Sequence, residues 1–164
     1  MGLNYKEYLQ LALQEAQIAF DRGSVPIGAL ILNSKGEILA KGYNETKITN
    51  DPTAHAEVVC MRHASEKIIR KFNPEPTFLF TTLEPCFACS FFITRTNIEY
   101  VVWASNDPHK GGIEYLKESE KMKEDISKLK LTEEPFAEIK LKSKELMFKY
   151  YLIKNDMKTA NLFK

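Results

Sequence analysis

Between Thr77 and Ala104 the chain sets a short apolar run, TFLFTT, then a helix opened by Glu84-Pro85 and running from Cys86 to about Thr96, then a second apolar run from Tyr100 to Ala104. Strand, helix and strand in that order make a right-handed crossover, so the two strands should lie parallel in one sheet. That order places the chain in the α/β class. Upstream, Tyr5 to Phe20 repeats apolar residues at helical spacing and Gly23 can end the helix. VPIGALIL, Val25 to Leu32, reads as a buried strand. The turn signal Asn33-Ser34-Lys35-Gly36 joins it to a second strand, Glu37 to Tyr43, which predicts a hairpin.

Asp51-Pro52-Thr53 is a helix start, with Asp51 or Thr53 as cap, and the helix is expected from about His55 to Arg70. Beyond the crossover, Lys117 to Glu134 is dense in Lys and Glu and reads as a solvated helix, Ala137 to Leu141 as a last short strand, and Lys142 to Lys154 as a closing helix. No internal repeat or domain boundary is visible, so residues 1–164 are expected to form a single domain, with 143–164 its C-terminal helix and tail. With 164 residues, 44% of them apolar, the chain can build one core. Lys and Arg total 23 against 22 Asp and Glu, a net charge of +1, which argues against a protein that coats nucleic acid without specificity. No apolar run reaches membrane-spanning length, and MGLNYKEYLQ has no apolar signal core. The expectation is a cytoplasmic protein with no membrane attachment.

Three Cys, two of them in a C-x-x-C, point in a reducing compartment to a metal or redox site. Cys86 and Cys89 open a helix, whose positive end favours thiolates. Two thiolates make a weak zinc site alone. His55, also at a helix start, is the natural third ligand. Three protein ligands leave a fourth position for water, the arrangement of catalytic zinc, and zinc lowers the pKa of that water from 15.7 to about 7. Glu57, two residues past His55, is placed to shuttle the water's proton to a substrate ring. This H-x-E followed by P-C-x-x-C matches the signature of zinc deaminases. Cys60 reads as a core thiol and His63 as a surface residue. His109 lies in a polar loop, either exposed or touching phosphate.

On DPTAHAE, TLEPCFAC, VPIGALIL, GYN and VVWASNDPHKGG the chain resembles the cytidine/deoxycytidylate deaminase superfamily, and within it the bacterial tRNA adenosine deaminases, from about Tyr8 to Gly112. The resemblance implies a three-layer α/β/α sandwich around a five-stranded mixed sheet and a homodimer with its active sites near the subunit interface. It implies one zinc per subunit on His55, Cys86 and Cys89, with Glu57 catalytic. Asn44 would hydrogen-bond the purine, Ile27 and Ala56 would line the base pocket, and Asp107 would contact a neighbouring nucleotide. The reaction implied is hydrolysis of adenosine to inosine in a tRNA anticodon stem-loop. The chain departs from the family at Ser90-Phe91-Phe92, where small residues are usual, and in a tail only mildly basic. These rings would alter the pocket floor or the dimer contact. Two alternatives follow: a free nucleobase or nucleoside deaminase of guanine or cytosine type, and a non-catalytic zinc-bound RNA-binding subunit.

Overall fold

A computed structural model describes residues 3–164; Met1 and Gly2, the start of the expected domain, lie outside the described residues. Helix α1 (Tyr5–Asp21) is followed by strands β1 (Gly28–Leu32) and β2 (Ile38–Tyr43), helix α2 (Ala56–Ala64), strand β3 (Thr77–Thr81), helix α3 (Phe87–Ile93) and strand β4 (Ile98–Trp103). Helices α4 (Ile113–Glu118) and α5 (Lys123–Ser127), strand β5 (Lys130–Glu133), helix α6 (Ala137–Ile153) and the short α7 (Met157–Ala160) complete the chain.

The five strands form one mixed sheet in the order β2-β1-β3-β4-β5. β1 runs antiparallel to both β2 and β3, so the expected hairpin is present. β3 and β4 are parallel, as the crossover requires, and β5 joins β4 in parallel. Every residue of β1 and β3 is buried, which fits strands covered on both faces. Alternation divides their side chains between two cores. Ala29, Ile31, Leu79, Val101 and Trp103 pack with Ala56, Cys60 and Ala64 of α2 and Ile93 of α3. Leu30, Leu32, Phe78, Phe80 and Val102 pack with Leu9 and Ala12 of α1 and Ile139 of α6. The result is the three-layer α/β/α sandwich. Gly42 lets α2 lie close against β2, since a Cβ there would stand 2.9 Å from the Cys60 nitrogen and 3.0 Å from the Ala56 oxygen.

Several expected boundaries shift. β1 begins at Gly28, with Val25 to Ile27 leading into it rather than belonging to it. α2 ends at Ala64, not Arg70: Ser65 takes φ 50° and turns the chain into a 3-10 turn over Ser65–Ile68. Neither Asp51 nor Thr53 caps α2. His55 holds the cap position, and the Asp51 carboxylate accepts from the Thr53 N–H and hydroxyl within the preceding turn.

The larger corrections lie beyond residue 113. The expected solvated helix over Lys117 to Glu134 is two short helices and the fifth strand. β5 is an edge strand: its ladder with Tyr100–Trp103 needs only a few residues, and Lys and Glu on such an edge keep it from pairing further. The strand expected at Ala137 to Leu141 is the start of α6, so the closing helix begins at Ala137 rather than 142 or 143. AEIKL alternates like a strand, but Ile139, Ser143, Met147 and Tyr150 are the buried positions, and that is one helical stripe. Ser143 fits this stripe because its hydroxyl donates to the Thr82 carbonyl, 2.6 Å away.

Candidate active site

The ends of the elements converge at one end of the sheet. β3 and β4 finish there, β2 leads out into Asn44, and the approach to β1 carries Val25 and Ile27. A crevice beyond the carboxyl ends of parallel strands is where α/β sheets bind ligands. Here it is a cavity of about 810 Å³ lined by His55, Glu57 and Cys86 among others.

His55 and Cys86 occupy the cap positions of α2 and α3, and neither side chain caps its own helix. Both are turned instead toward Cys89. The His55 Nδ1 lies 3.5 Å from the Cys86 Sγ and 3.6 Å from the Cys89 Sγ. The three ligand atoms fall within 4.8 Å of one another, the one metal-capable group of His, Cys, Asp or Glu among the described residues. The fit to zinc can be tested on these distances. Bonds of about 2.3 Å to sulfur and about 2.0–2.1 Å to nitrogen, at tetrahedral angles, separate N and S by about 3.6 Å. The donor set and its spacing therefore fit zinc, held by His55, Cys86 and Cys89 with one position open.

The hydrogen bond from Cys89, with help from His55, lowers the Cys86 thiol to about 4. The same bond, with burial, pushes Cys89 up. His55 is raised, chiefly by its hydrogen bond with Cys86. Both thiols would be deprotonated as zinc ligands. Glu57 is 3% exposed, and burial, then the nearby Cys86 charge, pushes its carboxyl up to about 7. A carboxyl poised near neutrality can both take and return a proton.

Asn44 is buried and closely held. Its Oδ1 accepts from the hydroxyls of Ser24 and Thr46, each at 2.8 Å, and from the Thr46 N–H at 3.2 Å. That fixes the orientation of the amide. Its backbone N–H donates to the Ile27 carbonyl, tying it to another cavity residue. Ile27 and Asp107 both line the cavity. Ala56 does not: it is wholly buried and packs into the core between α2 and the sheet.

Phe91 and Phe92 do not form the pocket floor. They lie on the outer face of α3, 38% and 45% exposed, and neither lines the cavity. Cys60 is a core thiol, donating to the Ala29 carbonyl and raised by burial. His63 is exposed, with its Nδ1 3.1 Å from the Lys41 carbonyl and far from the ligand cluster in role. His109 lines the cavity mouth, beside Lys110.

Sequence reasoning missed three groups. Ser24 and Thr46 orient Asn44 and carry no pattern of their own. Glu84 was visible only as part of TLEPC. Met147, Tyr150, Tyr151, Lys154 and Phe163 wall the cavity from α6 and the tail. The sequence marks a closing helix over Lys142 to Lys154, but nothing in it says which end of the sheet that helix reaches.

Three ligands for one zinc ion, an ionisable carboxylate buried beside them, and a deep cavity at the end of an α/β sheet define a zinc-dependent hydrolytic deaminase. The model for the cytidine and deoxycytidylate deaminase zinc-binding region matches residues 3–105, and the chain belongs to that family. It is a hydrolase acting on a C–N bond of a cyclic amidine. It is 40% identical over 113 residues to a tRNA-specific adenosine deaminase of Aquifex aeolicus, a match covering 69% of this chain and 72% of that one. A solved structure from work on A-to-I editing by tRNA:A34 deaminases at the wobble position of transfer RNA aligns with TM-score 0.68 and 29% identity, over 80% of this chain and 99% of that one. Guanine deaminase from Bacillus subtilis aligns with TM-score 0.56 and 29% identity, over 69% and 75% of the two chains.

Proposed function

We propose that this deaminase converts adenosine to inosine at the wobble position of a tRNA anticodon loop. Its likeness to tRNA-specific adenosine deaminases supports the substrate. The observation that carries the reaction is the buried Glu57 beside the His55, Cys86 and Cys89 cluster. His55, Cys86 and Cys89 would hold zinc, which would supply an activated water. Glu57 would take one proton from the water as its oxygen bonds to C6 and pass it to the ring nitrogen, where it stays; it would then take the remaining hydroxyl proton and pass it to the amino group as the C–N bond breaks and ammonia leaves. Asn44 Nδ2 donates to an acceptor on the purine. Ile27 packs against the ring, and Asp107 contacts a neighbouring nucleotide.

The chain acts as a homodimer. Phe87 at 57%, Phe91 at 38%, Phe92 at 45% and Tyr115 at 71% exposure give α3 and α4 an apolar face that a second copy would cover. A tRNA substrate supports a cytoplasmic location. No helix among the described residues is long and apolar enough to cross a membrane.

One observation favours a second reading. Tyr150, Tyr151 and Phe163 wall the cavity with aromatic rings from outside the family-matched span, and Tyr151 and Phe163 stack at 5.9 Å. Aromatic walls suit stacking on a free nucleobase, the substrate class of the guanine deaminase. The test is a paired assay on zinc-quantified protein. An anticodon stem-loop with adenosine at the wobble position is read for inosine, and free guanine, cytosine, adenine and their nucleosides are read for ammonia. Inosine in the RNA alone supports the tRNA reading; ammonia from a free ring alone replaces it with the second.

A further inference from the structure

Glu84 stands two residues before Cys86 and lines the same cavity, and its carboxylate is engaged by the loop after β4. Its Oε2 accepts from the Asp107 N–H at 3.2 Å and its Oε1 from the Ile113 N–H at 3.3 Å. Both oxygens therefore hold the loop after β4. The backbone repeats the connection. The Glu84 N–H donates to the Ser105 carbonyl at 2.8 Å, the Gly112 N–H donates to the Pro85 carbonyl at 3.1 Å, and Cys86 and Gly111 form an isolated bridge.

Two glycines permit this approach. A Cβ on Gly111 would overlap the Glu84 carboxylate, and one on Gly112 would overlap the backbone of Phe87. The loop so clamped carries Asp107, His109 and Lys110 into the cavity. The turn it is clamped to carries Cys86.

We propose that Glu84 is a positioning residue that ties the substrate-facing loop 107–113 to the turn bearing Cys86, and so fixes the distance between bound substrate and the reacting centre. Only a carboxylate serves. It offers acceptors on both oxygens, whereas Gln would set an NH2 against one of the two loop amides, donor facing donor. Asp is one methylene shorter and cannot reach both. Since two charge-assisted bonds order the loop, their loss falls on binding and leaves the proton chemistry of Glu57 in place.

The test uses the full, zinc-loaded chain and two variants that attack the clamp from opposite sides, Glu84→Gln and Gly111→Ala. Hydrogen–deuterium exchange is followed over 106–113, with zinc per chain measured in parallel. In both variants exchange there should rise about tenfold, the scale of one charged hydrogen bond, while α2 and the zinc content stay unchanged. Kinetics on the anticodon stem-loop should show KM about tenfold higher and kcat within twofold. In a Lys110→Ala background the KM effect of Glu84→Gln should shrink, because the two residues then act through one loop. Unchanged exchange in both variants, loss of zinc from Glu84→Gln, or a fall in kcat at constant KM each overturns the proposal. The kinetic arm rests on the tRNA reading; the exchange arm does not, so the two can fail separately.

Discussion

The cavity is built by two regions that obey different rules. Residues up to 105 supply the hairpin, the crossover and every metal ligand. Residues from Ile113 onward supply the edge strand β5, the helix α6 and the aromatic wall. In the first region each reactive side chain sits at an element terminus whose position follows from a sheet buried on both faces. In the second, the elements are held by contacts with that sheet, and their lining residues, Tyr150, Tyr151 and Lys154 among them, supply no metal ligand. One region dictates what reaction takes place, and the other shapes the space in which it occurs.

Removing the proton carrier should give the largest effect. Glu57→Gln is expected to lower kcat by about 10²–10⁴-fold while zinc per chain stays at one. Undiminished turnover in that variant would erase the chemical distinction between the regions. Phe163→Ala attacks the other side of the comparison. Phe163 is 2% exposed and clusters with Leu83 and Met147, against Val25 and Ile27. Its truncation should cost about 3–5 kcal/mol of stability, read as a lower denaturant midpoint of the zinc-loaded protein. A loss below about 1 kcal/mol would mean that the tail lies on the cavity without being packed into it.

The same division decides what could be read from the sequence. Ligand residues announce themselves by type and spacing. His55, Cys86 and Cys89 at two helix starts suit almost nothing except a metal, and the apolar runs of β1, β3 and β4 leave little freedom of pairing. The edge strand β5 hides because its solvent-facing Lys and Glu look like a helix surface. Helix α6 is misread at its start because AEIKL alternates over too few residues to separate a period of 2 from one of 3.6. Phe91 and Phe92 follow a ligand closely in sequence but are exposed, because Cys89, Ser90 and Ile93 are the positions α3 buries. Ala56 errs in the opposite sense: between His55 and Glu57 in sequence, it packs into the core.

Asn44 tests how far the first region extends beyond its motifs. Asn44→Ala removes the Nδ2 donor, and KM should rise about tenfold with kcat less affected. It also strands the buried Ser24 hydroxyl. Stability should therefore fall by about 1–3 kcal/mol, measured by denaturant unfolding. A rise in KM without any loss of stability would show that Ser24 and Thr46 find other partners, and that Asn44 is oriented by less than its three observed bonds.

Ser143 gives the smallest expected effect and bears on the boundary between the regions. It is a buried polar residue in the apolar stripe of α6, and its hydroxyl donates to the Thr82 carbonyl just past β3. That bond docks α6 at the end of the sheet where the cavity opens. Ser143→Ala removes a donor and leaves the carbonyl short of one partner, at a cost of about 1 kcal/mol. Because Met147, Tyr150 and Tyr151 follow on the same helix, a docking role also predicts a small change in KM at constant kcat. If stability falls and KM does not move, the bond stabilises α6 without setting where its cavity-lining residues sit. The shape of the cavity would then depend on Ile139 and Met147 rather than on this hydrogen bond.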